Sequence, residues 1–464
     1  MADIRPFCGL RFDPRRVDPG AVICPPFDVI SPAAQRAYHE RDPHNVIRLE
    51  LGLGSPDPAA PDNWYKGAAE TLRAWQQEGV LIRDDRPAIY LYAHEFTHAA
   101  RPLARRSLLV AGRLHDREEQ VVLPHEDTRA GPIQSRLALL RATNMNVSPL
   151  WLVYDDPQGE VGALLERAWA HEPVAVAEAD GQRHILWVVP EPGLLRALVE
   201  ALAPKQLFIA DGHHRYQTAQ IYRDEQRRRV AAAGGRPDPD AGYEFALMML
   251  VALDDPGMLL LPTHRLVRAL DRPPAEVRAA LARWFTLSRL QLPAGDDAAT
   301  AAFLERALAD AARERAEAGA PAHVFGLLER EGAWLLRLRE DCRWEARLPR
   351  DRSAAWRSLD VAVFDTLVLR DVLGIRAEGE AAHASAPGHG AADRLAYTAD
   401  FREAVAAVRE GEAVQAYLLN ATPMAQVCAV AAAGDRMPPK STYFHPKPAT
   451  GLVMHPLDGV RQRP

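Results

Sequence analysis

Apolar runs of strand length alternate with helix-spaced stretches in the middle of the chain. The predicted elements are, in order, a strand at 150–154, a helix at 161–170, a strand at 184–189, a helix at 193–202, a strand at 206–210 and a helix at 213–230. Strands that alternate with helices pack as a sheet covered by helices. We therefore predict a mixed α/β (α+β) fold.

The N-terminal part predicts further elements of both kinds. Ser31 followed by a proline is typical of a capped helix start. Apolar residues at helical spacing predict a helix over 64–79, which a glycine ends. Two apolar runs, 88–92 and 107–114, predict strands that pair with each other, and leucines on one face predict a short helix at 136–141.

The C-terminal part begins with a predicted hairpin. The strand 243–252 is followed by an Asp-Asp-Pro-Gly turn and by a second apolar run, 258–262. Further on we predict a largely helical region over 273–320, two strands within 324–348 and a helix at 360–369.

Two segments of the C-terminal part lack the periodicity of helices or strands. Segment 378–392 is rich in glycine, alanine, serine and histidine, and segment 437–451 is rich in turn residues. Such segments belong to loops, so we expect both to lie at the surface or over a site.

Length and composition indicate a globular protein with several packed regions. The chain has 464 residues, of which 48% are hydrophobic and 25% charged. Such a composition is ordinary for soluble globular proteins. Because a domain has roughly 100–200 residues, the length suggests two or three domains. We divide the chain into an N-terminal α/β region (1–115), a central core (116–270) and a C-terminal α/β region that closes over the site (271–464).

Charge and cysteine usage exclude several classes of protein. The formal net charge is -6, so no overall positive field attracts nucleic acid. We find neither a secretory signal nor an apolar window long enough for a membrane helix. The cysteines lie far apart and form no CxxC pair. We expect a cytoplasmic protein with no membrane partner.

The strongest chemical signal is the motif Asp211-Gly212-His213-His214-Arg215, which links an apolar strand to a helix. The N–H groups and dipole at a helix start favour anions, and arginine grips phosphate with two parallel hydrogen bonds. Glycine lets the backbone approach a ligand closely. Asp211 can hold Mg²⁺ or act as a base, and the histidines can bind phosphate or move protons. The motif predicts a phosphate site.

Weaker candidates follow elsewhere in the chain. His264 and Arg265 follow a predicted strand and can join an anionic pocket, or they can belong to a plain loop. The C-terminal segment has a cluster of cationic and hydroxyl residues that can close over a phosphate, although turn chemistry explains the segment equally well: Lys440, Ser441, Thr442, Lys447 and Thr450. The HExxH motif at 94–98 alternates like a strand and meets Pro102 too early for the helix of a zinc protease, so we assign no zinc site.

Other enzyme classes lack their signatures. The chain has no GxxxxGKS loop, no GxGxxG motif after a strand and no GxSxG elbow. A Walker-type NTPase, a Rossmann dehydrogenase and an α/β hydrolase are therefore not indicated.

Almost the whole chain resembles the domain-of-unknown-function 1015 family. The resemblance rests on Pro-Pro-Phe-Asp-Val-Ile at 25–30, His-Glu-Asp-Thr at 125–128, the motif at 209–216, Pro-Thr-His-Arg at 262–265 and segment 437–452. The stretch 120–270 also resembles the ParB/sulfiredoxin-like fold, whose members include nucleases, nucleotide hydrolases, a reductase and free serine kinases. The resemblance implies a ParB/sulfiredoxin-like core with α/β extensions.

The free serine kinases within that resemblance imply roles for individual residues. Glu126 would be the catalytic base, and Asp211 would support the attacking hydroxyl or the metal. The helix start with His213, His214 and Arg215 would hold the nucleotide phosphates. ATP or ADP with Mg²⁺ would then be the cofactor.

These observations lead to one preferred function and two alternatives. We expect a nucleotide-dependent phosphotransferase acting on a small hydroxylated metabolite. The resemblance to free serine kinases suggests free serine as that metabolite. The alternative is a nucleotide-binding regulatory or scaffold protein that transfers no phosphate. A nuclease is disfavoured by the negative charge.

Overall fold

The computed structural model describes residues 1–166, 168–318, 323–375, 394–459 and 461. The predicted loop 378–392 lies outside the described residues. The chain forms two compact units. Unit 1 comprises Met1–Pro124, Thr128–Leu259 and Pro446–Pro464, and unit 2 comprises His125–Asp127 and Leu260–His445.

Unit 1 is built on a mixed sheet of nine strands within the described residues. The strands of this unit are β1 (Ile4–Arg5), β2 (Leu10–Phe12), β3 (Leu81–Arg83), β4 (Ile89–His98), β5 (Arg101–Arg113), β6 (Val122–Leu123), β7 (Met145–Asn146), β8 (Leu150–Tyr154), β9 (Ala175–Ala179), β10 (Gln182–Val189), β11 (Leu207–Asp211), β12 (Phe245–Ala252) and the C-terminal His455–Pro456. The sheet order is β6-β11-β8-β12-β5-β4-β10-β9, with β1 also on β5.

Helices cover this sheet. They are α1 (Pro19–Val22), α2 (Pro32–Arg41), α3 (Ile47–Glu50), α4 (Trp64–Gln77), α5 (Ala130–Thr143), α6 (Glu160–Leu165), α7 (Pro192–Leu202) and α8 (His213–Ala232), with 3₁₀ turns at Phe27–Val29, Arg117–Glu119, Ala168–Ala170 and Gly242–Glu244. The central strands β8 and β12 are parallel and almost wholly buried. Strands covered on both faces read as continuous apolar runs, which is the pattern their sequences show.

Unit 2 contains an antiparallel sheet in the order β15-β17-β16-β19-β14-β18 and a short pair, β13-β20. Its strands are β13 (Leu259–Leu261), β14 (His264–Val267), β15 (Phe285–Leu290), β16 (Val324–Glu329), β17 (Gly332–Leu338), β18 (Leu395–Thr398), β19 (Gln415–Leu418) and β20 (Tyr443–His445). Its helices are α9 (Pro274–Leu281), α10 (Asp297–Glu317), α11 (Ala354–Arg357), α12 (Asp360–Phe364, continued as a π-helix over Asp365–Arg370), α13 (Phe401–Glu410) and α14 (Met424–Ala432), with a 3₁₀ turn at Trp344–Arg347.

The mixed α/β fold predicted from the sequence is confirmed. The strand predicted at 150–154 has those bounds, β4 and β5 pair as expected, and Ser31 accepts a hydrogen bond from the Ala34 amide at the start of α2. The HExxH segment lies in β4 and not in a helix. The ParB/sulfiredoxin-like assignment and the three-region division stay predictions.

One local prediction was wrong, and another missed a strand. The run at 258–262 does not form a hairpin with the preceding strand, because β12 already has β5 on one edge and β8 on the other. The strand β13 pairs instead with β20. The region predicted as largely helical over 273–320 does contain two helices, α9 and α10, and the strand β15 lies between them. Among the described residues, no helix has both the length and the apolarity needed to cross a bilayer.

Two hairpins of unit 1 have two-residue turns with positive φ at both central residues. The β9–β10 turn uses Asp180 and Gly181, which suit this geometry, whereas the β4–β5 turn uses Ala99 (φ 47°) and Ala100 (φ 61°). Left-handed backbone is strained for alanine, and Asn-Gly is the preferred pair in such turns.

Replacing Ala99 by Asn and Ala100 by Gly together is expected to stabilise unit 1 by about 1 kcal/mol. Urea unfolding of the double variant measures the change. The matched control is Ala163→Gly, at an exposed position within α6, which is expected to destabilise the protein by about 1 kcal/mol. A double variant that is less stable than the wild type would contradict the assignment of strain to this turn.

Candidate functional site

A β-bulge ends β11 at the predicted site. Along the antiparallel β11–β8 pair, Ile209 lies opposite Leu152, but Asp211 lies opposite Trp151, so Ala210 is an extra residue. A bulge twists the strand and turns the following side chain towards a new direction. Asp211 is nevertheless buried, with 7% of its surface exposed. The bulge therefore sets the direction of a buried carboxylate.

Gly212 makes the turn from β11 into α8. Its φ is +97°, and a Cβ at this position would lie 3.1 Å from Leu150 Cδ2 and 3.2 Å from Arg215 Cζ. Both the backbone angle and the crowding call for glycine. Gly212 also provides no side chain to cap α8, which begins at His213. The start of this helix can therefore offer backbone N–H groups to a ligand, as helix starts commonly do for anions.

Two cations hold Asp211. Arg215 Nη2 lies 2.6 Å from Asp211 Oδ2, and Lys447 Nζ contacts Asp211 Oδ1. Arg215 Nη1 also donates to the carbonyl oxygen of Pro149. The two cationic side chains are only 9% and 13% exposed. The structure thus brings together Asp211 and Arg215, as the motif predicted, and adds Lys447 from the C-terminal segment.

Burial lowers the pKa of Lys447, but the carboxylates of Asp211 and Asp28 outweigh this effect and raise it. Lys447 is therefore a charged group at neutral pH. An amine that is paired and largely covered in this way keeps its charge inside the protein. The site accordingly contains two permanent positive charges at the start of a helix.

Asp28 is a second carboxylate of the site, and no sequence motif provides a chemical reason to select it. It reaches solvent from the 3₁₀ turn Phe27–Val29 but is crowded by protein on its other sides. That burial and the like charge of Asp211 raise the pKa of the Asp28 carboxyl, while Arg215 and Lys447 oppose the rise. Asp28 and Asp211 therefore compete for the same two cations.

A buried ion pair fixes the backbone around Asp28. Glu50, 1% exposed, accepts hydrogen bonds from the Phe27 amide and the Ser148 hydroxyl, both at 3.2 Å. The Arg136 guanidinium lies 3.8 Å from the Glu50 carboxylate and 4.2 Å from the centre of the Phe27 ring. Because Phe27 precedes Asp28, this pair holds the turn that carries the second carboxylate.

Asp28→Asn is expected to stabilise the protein at neutral pH. The folded pKa of Asp28 is raised, so its favourable contribution is complete below the unfolded value of 3.8 and is lost as pH rises through the folded value. Above the folded pKa of Asp28, the variant should therefore be more stable than the wild type. Below pH 3.8, the two proteins should be equally stable. Thermal melts across pH check this.

Asp3→Asn is the control with the opposite sign. Burial raises the pKa of Asp3, but hydrogen bonds from Arg5 and Arg113 outweigh it and lower the pKa to about 2. This variant should lose stability above pH 3.8 and match the wild type only as pH falls through about 2. If Asp28→Asn instead lost stability above pH 3.8, as expected for Asp3→Asn, the surroundings of Asp28 would stabilise its ionised carboxylate, which would contradict the raised pKa.

The two histidines of the motif are tied into the protein. His213 is 5% exposed. The Arg129 amide donates to His214 Nε2 at 2.9 Å, so His214 is neutral in this arrangement and carries its proton on Nδ1. His214 thereby joins the start of α8 to the residue that precedes α5. Phosphate binding by either histidine stays a prediction.

Glu126 lies in unit 2, with one-third of its side chain exposed. Thr442 donates to Glu126 Oε1 at 3.3 Å, and His125 Nε2 lies 3.2 Å from Thr442 Oγ1. His125 is fully buried, and its carbonyl oxygen accepts from the Met437 amide. These contacts orient a carboxylate within unit 2, and its role as the base stays a prediction.

His264 and Arg265 are enclosed in unit 2. His264 packs edge-on against Phe401, its Nδ1 accepts from the Leu419 amide, and burial lowers its pKa to about 3. Arg265 is 1% exposed and lies 3.5 Å from the Asp365 carboxylate. A phosphate bound there would have to displace these contacts. The proposed site is therefore built without these two residues.

The described residues around Asp211 do not form a metal site of their own. Each Asp211 oxygen is engaged by a cation. Among the residues that the structure describes, no group of three or more His, Cys, Asp or Glu side chains is arranged to hold a metal ion. The predicted role of Asp211 as a metal ligand therefore requires Lys447 or Arg215 to leave it first.

Comparisons with solved structures give low similarity. A conserved hypothetical protein from Pyrococcus furiosus is 13% identical with a TM-score of 0.32, and the match covers 75% of this chain and 93% of that one. A free serine kinase in complex with AMP is 13% identical with a TM-score of 0.31, covering 73% and 86%. A variant of a free serine kinase in complex with ADP is 10% identical with a TM-score of 0.32, covering 73% and 87%. TM-scores this low carry no argument about this chain.

Comparisons by sequence give a family. No curated protein matches the chain. The model of a family described as "Protein of unknown function (DUF1015)" matches residues 4–362. That span is well over half of the chain and includes Asp28, Glu126 and the motif from Asp211 to Arg215. The protein therefore belongs to the DUF1015 family of proteins of unknown function.

Proposed function

We propose that unit 1 binds the phosphates of ATP or ADP at Arg215, Lys447 and the start of α8, next to Asp211, and that the protein transfers a phosphoryl group to a small hydroxylated metabolite. The observation that carries the proposal is the pair of largely buried cations held on one carboxylate at the uncapped start of α8. Phosphoryl transfer depends mainly on positioning and charge neutralisation, which such a group provides.

The contacts of Asp211 suggest how a phosphate enters. The carboxylate offers two oxygens to the two cations, and a phosphate offers the same acceptors with more charge. Arg215 also donates to the Pro149 carbonyl, and this bond would hold its guanidinium near the start of α8 after it releases Asp211. A nucleotide phosphate would replace Asp211 as the acceptor, and Asp211 would become available for other partners.

The proposed reaction balances without a further reactant. The acceptor hydroxyl oxygen forms a bond to the terminal phosphorus, and the bond from that phosphorus to the bridging oxygen of the nucleotide breaks. The hydroxyl proton goes to a base, for which Glu126 is the candidate, and the shortened nucleotide leaves with the bridging oxygen. Free serine is the first acceptor to test, because the motif resembles that of free serine kinases.

Mg²⁺ enters this proposal only with the nucleotide. A magnesium ion is commonly held by one or two carboxylates together with substrate phosphates. Asp211, once released by its cations, would be such a carboxylate.

Incubation of the purified protein with ATP or ADP, Mg²⁺ and a pool of hydroxylated metabolites that includes free serine tests the proposal. We expect nucleotide turnover that requires one of the metabolites and yields its phosphate ester. Glu126→Gln should bind nucleotide like the wild type and lose turnover by about 100-fold or more, as expected for a general base. Nucleotide binding without turnover would favour the regulatory or scaffold alternative, and absence of both would reject the proposed site.

A further inference from the structure

Arg105 is a charged residue buried in the middle of the sheet of unit 1. It lies in β5 and is 0% exposed. Its guanidinium carbon stacks 4.0 Å from the centre of the Trp151 ring. Removing an arginine from water is costly, and burial lowers its pKa to about 10. A side chain with this cost needs a role beyond filling space.

Arg105 contacts two residues that lie next to the proposed phosphate site, Pro446 and Trp151. Its Nη1 donates at 2.9 Å to the carbonyl oxygen of Pro446, the residue directly before Lys447. The ring on which it stacks belongs to Trp151, which lies opposite Asp211 in the β8–β11 register. Arg105 therefore contacts the neighbours of both members of the Lys447–Asp211 pair.

The orientation of Arg105 is itself fixed. Its Nη2 lies 3.0 Å from His94 Nδ1, and His94 Nε2 lies 2.6 Å from Gln182 Oε1. These contacts are satisfied together when His94 is neutral, accepts from Arg105 at Nδ1 and donates from Nε2 to Gln182. The planar guanidinium is thus held by a ring face, a ring nitrogen and a carbonyl.

Lys447 belongs to a segment, 446–450, that is anchored on both sides of it. Arg105 holds Pro446 before it. After it, the Ala449 amide contacts the Tyr92 hydroxyl at 3.4 Å, and the Thr450 amide donates to the Cys24 carbonyl at 2.8 Å. The anchors on the far side are backbone and tyrosine contacts, whereas the anchor next to Lys447 is Arg105.

We infer that Arg105 is a positioning residue that holds segment 446–450 so that the Lys447 ammonium lies against Asp211. Arginine suits this role because its fork donates to two acceptors while its face packs on an aromatic ring. A methionine would fill the space without the hydrogen bond to Pro446. A lysine would keep the charge but place its donors on a single nitrogen, so the planar fork would be lost.

The first test measures Lys447 directly and needs no ligand. Lys66, Lys205 and Lys440 are the other lysines of the chain. Acylation with acetic anhydride, followed by mass spectrometry of each lysine peptide, gives a rate for every amine. Lys205 is the internal control, because it is 11% exposed and pairs with Asp156 at 2.9 Å, much as Lys447 is 13% exposed and pairs with Asp211.

In Arg105→Met we expect Lys447 to be acylated at least about threefold faster than in the wild type, with Lys205 unchanged, because one lost charge-assisted hydrogen bond frees the segment. Arg105→Lys should give an intermediate rate. An unchanged Lys447 rate in the folded variants would overturn the inference. If Lys205 also reacts faster in Arg105→Met, that variant is unfolding, and the Lys447 rate in Arg105→Lys decides.

The second test links Arg105 to the proposed function, on which the choice of ligand rests. Dissociation constants for ADP are measured for Arg105→Met, Lys447→Met and the double variant. If Arg105 acts through Lys447, its substitution weakens ADP binding by about tenfold in the wild-type background and changes nothing further in Lys447→Met. A full additional loss in the double variant would overturn the inference. A wild type that binds no ADP would reject the proposed function and leave the acylation result standing.

Discussion

Asp211→Ala is expected to abolish nucleotide turnover, by about 100-fold or more, because the variant loses the group that organises both cations. It should also destabilise the protein by about 3 kcal/mol, since two largely buried cations lose their carboxylate. The structure shows why its stability must be measured beside its activity.

Asp156→Ala separates the two effects. Asp156 is 4% exposed, pairs with Lys205 and accepts hydrogen bonds from the Val161 and Gly162 amides. Its loss should cost a similar amount of stability, again about 3 kcal/mol, and leave turnover near that of the wild type. Urea unfolding and turnover assays on both variants give the comparison. Turnover retained by folded Asp211→Ala would reject the assigned site.

Lys447→Met is expected to weaken ADP binding by about 10- to 100-fold, the usual effect of losing one charge-assisted hydrogen bond to a phosphate. The methionine keeps most of the apolar stem of the lysine, so packing changes little. Isothermal titration calorimetry measures the affinity.

Lys205→Met is the matched control for this variant. Lys205 has nearly the same exposure as Lys447 and also pairs with a buried aspartate. It precedes β11, whereas Asp211 ends that strand, so the two lysines belong to sites at opposite ends of β11, about 13 Å apart along the strand. Lys205→Met should lose stability and keep its ADP affinity. Equal effects of the two substitutions on ADP binding would show that Lys447 acts only through stability.

Much of the local structure was predictable from the order of apolar and polar residues. The strand 150–154 is buried on both faces, so its apolar run has the same limits as the strand. The start of α8 was predictable because Gly212 separates the apolar run of a strand from a segment with helical spacing. The helix predicted at 136–141 is longer, Ala130–Thr143, because a proline in its first turn interrupts the pattern without interrupting the helix.

The candidate site was only half predictable, because its members are far apart in the chain. Asp211 and Arg215 are four residues apart, so one strand-to-helix transition reveals both. Lys447 contacts Asp211 across 236 positions, and Asp28 approaches from the N-terminal part. The periodicity of apolar residues reports on positions within one helix or strand, so it does not reveal contacts between positions this far apart. The family resemblance contained both positions, in segments 25–30 and 437–452, but without a chemical reason to combine them.

The wrong hairpin has a similar cause. The turn residues at 254–257 favour a reversal of the chain, and a turn does form there, since the Met258 amide donates to the Asp255 carbonyl oxygen at 2.9 Å. Whether the next run pairs with β12 depends on whether an edge of β12 is free. Both edges are occupied by strands that come earlier in the sequence. The order of strands in the sheet therefore decides whether the run at 258–262 pairs with β12, and the turn residues alone do not reveal that order.

The central claim is that Arg215, Lys447 and the start of α8 bind the phosphates of a nucleotide. Calorimetric titration of the wild-type protein with ADP and, separately, with adenosine tests it most directly, because the two ligands share the base and the sugar and differ in the phosphates. We predict that ADP binds and that adenosine binds at least about 100-fold more weakly, as the loss of charge-assisted hydrogen bonds from two cations requires. Equal affinity for the two ligands, or no binding of ADP, would contradict the account.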